Sequence, residues 1–219
     1  SDQTVAIARS LGARIIERDY INPSDFKNWA IPQATHPWIL LLDADERATP
    51  ELLLEIRRLW NESGGMPPRV AYRIPRLNHL FDQPVRHSGW QNDGVLRLFQ
   101  RDRCLYTPVR VHEELDVPPR NRGHLTKPML HFTYHSYRQI LDKYARYSSW
   151  AAQDLQEKGH KASATTLLLR PTWRFLRHYL VQGGFRDGYA GLVVSVLAGF
   201  YVFLKYAKLW RMGAEDRNT

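Results

Sequence analysis

The sequence predicts an α/β fold followed by a basic, helical C-terminal region, and three observations carry that expectation. Helical and strand patterns alternate through the first 136 residues, as they do where crossover connections build a sheet. A continuous apolar run, Trp38-Ile39-Leu40-Leu41-Leu42, stops abruptly at Asp43-Ala44-Asp45-Glu46, the pattern of a covered strand ending at a polar edge. Of the 219 residues, 43% are hydrophobic and 24% charged, enough for a core and too apolar for a disordered or fibrous chain.

In order, residues 4–11 read as a short helix and residues 13–17 as a strand entered through Gly12. Residues 27–34 read as a second helix, and residues 37–42 as the apolar strand, covered on both faces. Thr49-Pro50-Glu51 then opens a helix with a hydroxyl cap, a proline in the first turn and an acid near the positive dipole end. It runs to Trp60 and stops at Gly64-Gly65. Strands follow at residues 69–77, 95–99 and 129–133. Residues 137–155 read as a long amphipathic helix with Ile140, Leu141, Tyr144 and Leu155 inward. The remainder reads as two membrane-facing helices, broken at Gly183-Gly184. Residues 1–136 thus form a sheet-based domain and residues 137–219 a helical, membrane-associating region.

Charge is distributed unevenly. The net charge is +9, yet residues 1–137 hold 18 Lys/Arg against 16 Asp/Glu, while residues 138–219 hold 13 against 6. A basic region of this kind serves nucleic acid or an anionic membrane surface. Here Arg170-Pro171-Thr172-Trp173-Arg174-Phe175-Leu176-Arg177-His178-Tyr179 interleaves arginines and rings at helical spacing, beside aliphatic runs. That suits a helix in the headgroup region and not a nucleic-acid groove. Gly188 to Leu204 holds 17 uncharged residues, about 25 Å as a helix and short of the ~20 residues a span takes. An interfacial helix is expected over a span, with Lys205, Lys208 and Arg211 as its anchor. The single cysteine, Cys104, excludes a disulfide framework and a multi-cysteine zinc site, and reads as packing. The first eight residues lack the basic start and apolar core of a signal peptide.

Asp43 and Asp45 are the strongest chemical signal. In open α/β sheets ligands bind at the carboxyl ends of strands. Two carboxylates at i and i+2 leaving a strand can address one cation, and hard oxygen ligands suit Mg²⁺ or Mn²⁺, which in turn neutralises a diphosphate. A polar turn before a helix cap is the alternative. A calcium-loop reading fails because Ala48 and Leu54 stand where a glycine and a glutamate are needed. His112-Glu113-Glu114-Leu115-Asp116 fails as a zinc-protease helix because Asp116 stands at the second histidine position.

Lys27-Asn28-Trp29-Ala30, the segment from Trp38 to Glu46, Tyr72-Arg73-Ile74-Pro75-Arg76-Leu77-Asn78 and Val95-Leu96-Arg97-Leu98-Phe99 together resemble family-2 glycosyltransferases. The sequence is more closely similar to bacterial enzymes that build the lipopolysaccharide inner core, commonly as β-1,4-glucosyltransferases. Val111-His112-Glu113, Leu130-His131-Phe132-Thr133-Tyr134 and the segment from Phe200 to Lys208 extend the resemblance to the C-terminus. It implies a GT-A fold over residues 1–136 and inverting transfer of a hexose from a nucleotide-sugar donor, UDP-glucose, to a lipid-linked glycan acceptor. The setting it implies is the cytoplasmic face of the bacterial inner membrane.

The resemblance implies Asp45 as the principal metal ligand for Mn²⁺ or Mg²⁺, with Asp43 at the ribose and metal. His131 is a further candidate ligand, or a structural strand histidine. Glu113 is the candidate base, with Glu114, Asp116 and above all Asp93 as rivals. Trp90 is a sugar platform or a rim tryptophan. Lys27 and Asn28 match positions that face the nucleotide, with a solvated helix face as the alternative for Lys27. Glu46 is a support for the site or a helix-entry acid. Members of the family start with a further strand and helix before a segment resembling Ser1-Asp2-Gln3-Thr4, so the resemblance implies a chain lacking the N-terminal part of the nucleotide site. Two alternatives stand beside it: transfer to a polyprenyl phosphate, and a non-catalytic membrane-bound module that keeps the fold.

Overall fold

The structure, a computed structural model, describes residues 3–107 and 114–215. In chain order its elements are α1 (Thr4–Ser10), α2 (Pro23–Ala30), β1 (Trp38–Leu40), β2 (Glu46–Arg47), α3 (Pro50–Glu62) and β3 (Ala71–Leu80). They continue with β4 (Gln83–Val85), β5 (Gly94–Gln100), β6 (Arg122–His124), β7 (Met129–Tyr134), α4 (Tyr137–Glu157), α5 (Ala164–Leu176) and α6 (Gly188–Glu215). The chain divides into two compact units. Residues 1–41, 54–74 and 95–126 form the first, and residues 42–53, 75–94 and 127–219 the second.

In the first unit β1 pairs antiparallel with β5, Ile39 facing Phe99, and the start of β3 pairs parallel with β6, Tyr72 facing Gly123. Ile31, Val70, Phe99, Cys104, Tyr106, Leu115 and Val117 form its core. Cys104 is packing, as expected, and burial pushes its thiol up to about 11. Two expectations are corrected. Residues 13–17 form no strand, because they find no ladder partner among the described residues to satisfy their backbone groups. The second helix starts at Pro23, four residues before the expected Lys27, because Asn22 caps it by accepting a hydrogen bond from the Asp25 N–H at 2.9 Å. The apolar strand is also shorter than its hydrophobic run, and Trp38, Ile39 and Leu40 are only half-buried.

In the second unit β3 carries the sheet. Its later half pairs antiparallel with β4, Asn78 facing Val85, and parallel with β7, Asn78 facing His131. β2 pairs antiparallel with β7, Glu46 facing His131. The pairing within the two units is therefore mixed, where alternating helices and strands suggested parallel crossovers. α3 is capped as its sequence predicts, Thr49 Oγ1 accepting from the Leu52 N–H at 3.1 Å and donating to the Pro128 carbonyl at 2.8 Å.

Leu80, Val85, Tyr134, Ile140 and Val194 form one core of this unit, and Ala152, Val202, Tyr206 and Leu209 another. Ile140 is fully buried and Tyr144 packs beside it, but Leu141 is half-exposed: it lies about 100° round the helix from Ile140. α5 runs on through a π-helical turn at Arg177–Val181 and the chain breaks at Gly183, whose left-handed backbone (φ 72°) favours glycine. The stretch Gly184–Ala214 is long and apolar enough to cross a membrane by length and composition, with 33% of its most apolar window buried inside the protein. Lys208, expected as a membrane anchor, instead donates to Ser148 and Ser149 Oγ of α4, each at 2.8 Å.

Candidate active site

Strand pairing in the second unit sets Asn78, His131 and Glu46 side by side across β3, β7 and β2. Asn78 is buried and uses both ends of its amide. Its Nδ2 donates to Asp93 Oδ2 at 2.8 Å, which leaves Oδ1 as the acceptor for His131 Nδ1 at 2.5 Å and Thr133 Oγ1 at 3.3 Å. A hydrogen of the His131 ring is thereby placed on Nδ1, and Nε2 is turned to Asp45 Oδ2 at 3.4 Å. Asp45 is held in turn by its own carbonyl, which accepts from the Phe132 N–H at 2.8 Å.

Arg76 ties the acids together. Its Nε and Nη2 donate to Asp93 at 3.0 and 2.8 Å, and Nη1 lies 3.6 Å from Glu46 Oε1. Glu46, with a side chain only 1% exposed, closes the turn by accepting from the Asp43 N–H at 3.0 Å. It is not a helix-entry acid, since it stands in β2 and the helix begins at Pro50. The hydrogen bond from His131 holds the Asp45 carboxyl below the usual carboxylate range, against the effect of burial. Burial would raise the Asp93 carboxyl, but hydrogen bonds from Arg76 and Asn78 outweigh it and leave the group lowered.

Asp45 opens onto a cleft of about 590 Å³ lined also by Thr133, His135, Gln139, Asp142, Lys143 and Arg146. Lys143 lies over the Tyr134 ring at 5.1 Å, and burial pushes its ammonium group down. The cleft thus sets two carboxylates, Asp45 and Asp142, and His135 beside two cations, an arrangement able to address a cation and an anionic group together. Among the described residues no three His, Cys, Asp or Glu side chains converge as a metal-ligand set.

The structure brings together Asp43, Asp45, Asp93 and His131 of the candidates named from sequence. Trp90 is half-buried, against the Leu80, Val85 and Tyr134 cluster. Lys27 and Asn28 belong to the first unit. Asn28 pairs both amide atoms with the Tyr106 backbone, at 2.9 and 2.8 Å, and Lys27 lies 5.0 Å from that ring. Glu113 lies outside the described residues. The sequence reading missed Arg76, Asn78, Thr133 and Lys143. Arg76 and Asn78 carried a signal, two polar residues at i and i+2 in an apolar strand, which points them to one face of the sheet.

A mixed α/β chain with an acidic, histidine-bearing cleft at the edge of a sheet is the class of protein that fold and site define. The chain belongs to the glycosyltransferases. It is 30% identical to a glycosyltransferase of Rickettsia felis across all of this chain and 80% of that relative. It is 29% identical to one of Rickettsia typhi across all of this chain and 77% of that protein. It is also 30% identical to the lipopolysaccharide core biosynthesis glycosyltransferase LpsC of Rhizobium meliloti, over 86% of this chain and 69% of LpsC. No protein-family model matches the chain.

Proposed function

We propose that the chain is a family-2, inverting hexosyltransferase that moves glucose from UDP-glucose to a lipopolysaccharide-core or other lipid-linked glycan. The pairing of Asp45 with His131, whose ring Asn78 orients, is the observation that supports a metal-assisted transfer. With Nδ1 engaged by Asn78, Nε2 and the Asp45 carboxylate face each other at 3.4 Å, and a Mn²⁺ or Mg²⁺ ion that displaced the Nε2 hydrogen would be shared by the two. Such an ion would neutralise charge developing on the leaving diphosphate.

The remaining roles fall to the chain's own side chains. Lys143 and Arg146, in the same cleft, would meet diphosphate oxygens as fixed cations. Asp43 would sit at the ribose and metal, and Trp90 would offer a face to the acceptor sugar. Asp93 has its carboxylate taken by Arg76 and Asn78 and serves to position the site. Glu113 is the proposed base, taking the proton of the acceptor hydroxyl as its oxygen bonds to the anomeric carbon and the bond to diphosphate breaks. The similarity to LpsC supports the acceptor class, and the basic, apolar C-terminal helices support a place on the cytoplasmic face of the inner membrane.

The test is transfer of labelled glucose from UDP-glucose to a heptose-ended core lipid by membrane-bound protein with Mn²⁺. Product of inverted anomeric configuration is expected, with at least a 100-fold loss in Asp45→Ala and an unchanged circular dichroism spectrum. Retained transfer in that variant would sink the role of Asp45, and no turnover with any nucleotide-hexose would sink the reaction.

A further inference from the structure

We propose that α5 and the facing side of α6 form a binding site for the phosphates of acidic phospholipids, which holds both helices flat on an anionic bilayer. The inference deepens the membrane-surface reading above and rests on it. Arg170, Arg174 and Arg177 recur at spacings of four and three, so α5 and the turn after it present them on one side. Lys205 of α6 joins them, and all four line a single pocket of about 380 Å³ with Trp173 and Tyr206.

Among the described residues none of these four cations pairs with a carboxylate. Arg170 donates to the Tyr206 hydroxyl at 2.7 Å and lies over its ring at 5.2 Å, and Lys205 lies over the same ring at 4.9 Å. Arg174 Nη1 is 3.5 Å from His178 Nε2. Four like charges gathered without an acid repel one another, and an external anion would relieve that repulsion. Phosphate fits, because guanidinium forks address its oxygens in pairs.

The anion is attached to a lipid for a second reason. α5 buries none of its residues. Beside the arginines, Leu168, Leu169, Trp173 and Leu180 are 66%, 62%, 60% and 54% exposed, an apolar strip no free nucleotide or nucleic acid would cover. A bilayer covers the strip with acyl chains while its phosphates meet the cations. α6 packs along α5 and is tied to α4 through Lys208.

The test is co-sedimentation of the full chain with phosphatidylcholine vesicles and with vesicles containing 30% phosphatidylglycerol. A variant carrying Arg174→Gln, Arg177→Gln and Lys205→Gln is compared with a charge-matched control carrying Arg58→Gln, Arg103→Gln and Arg120→Gln. Each cation near an anionic surface contributes about fivefold in affinity, so the cluster variant is expected to bind acidic vesicles about 100-fold more weakly. The control should stay within a few-fold of wild type, and binding to neutral vesicles should be equal in all three. Equal loss in the control would overturn the site in favour of net charge, and loss in neither would overturn it outright. Displacement of wild type by inorganic phosphate at constant ionic strength would overturn the lipid assignment. Absence of binding to either vesicle by wild type would remove the membrane reading itself.

Discussion

Asn78 couples the two halves of the candidate site, because one buried amide orients both His131 and Asp93. In Asn78→Ala both partners lose a hydrogen bond in a half-buried setting. Stability should fall by about 1–3 kcal/mol, read as a lower urea midpoint at unchanged slope. Transfer should fall further than stability explains, since His131 loses the group that fixes its ring. Asp93 makes a separate prediction about acid. Its folded carboxyl is held below the usual range, so its contribution to stability is present above the unfolded value of about 3.9 and is lost as pH falls through the lower folded value. Urea unfolding of wild type and Asp93→Asn should therefore differ most at pH 6, and the gap should narrow as pH falls below about 4. A gap that does not narrow at all on acidification below pH 4 would show that the carboxylate charge is not what Arg76 and Asn78 hold.

The α5–α6 contact is set by a glycine. A Cβ at Gly199 would lie 3.0 Å from the Pro171 carbonyl oxygen and 3.4 Å from Phe175 Cβ, so any side chain there presses on α5 and a branched one must push it away. Gly199→Val should destabilise the helical pair by about 1–3 kcal/mol through overpacking. Gly213, with nothing within 4 Å of its Cβ position, supplies the control: Gly213→Ala should be neutral or slightly stabilising. Thermal unfolding followed by far-ultraviolet dichroism separates the two. Equal effects would mean that the valine acts through helix propensity and not through the contact with α5.

At the scale of the whole chain, α6 is part of the second unit's core and not an appended anchor. Val194 packs with Leu80, Val85 and Ile140, while Val202, Tyr206 and Leu209 pack with Ala152 of α4. Deleting residues 183–219 should therefore give an unfolded, protease-sensitive chain instead of a soluble enzyme released from membranes. A truncated chain that is folded by dichroism and active in solution would refute this.

The sequence alone determined what depends on neighbours along the chain. The Thr49 cap, the Pro50 start, the long helix after Ser136, the break at Gly183 and the carboxylates leaving an apolar run are all local patterns, and each is found. It also determined the family, through several motifs in one order. Tertiary structure decided what depends on pairing across long separations. Asn78 meets His131 across 53 residues because β3 and β7 run parallel in that register, and a one-residue slip would turn one of the two side chains to the opposite face. Residues 13–17 show the converse, a strand-like pattern left without a ladder. The distinction is physical: capping and periodicity are settled within a turn or two of backbone, whereas a strand, a buried amide or a cluster of unpaired arginines acquires its meaning only from the element that packs beside it.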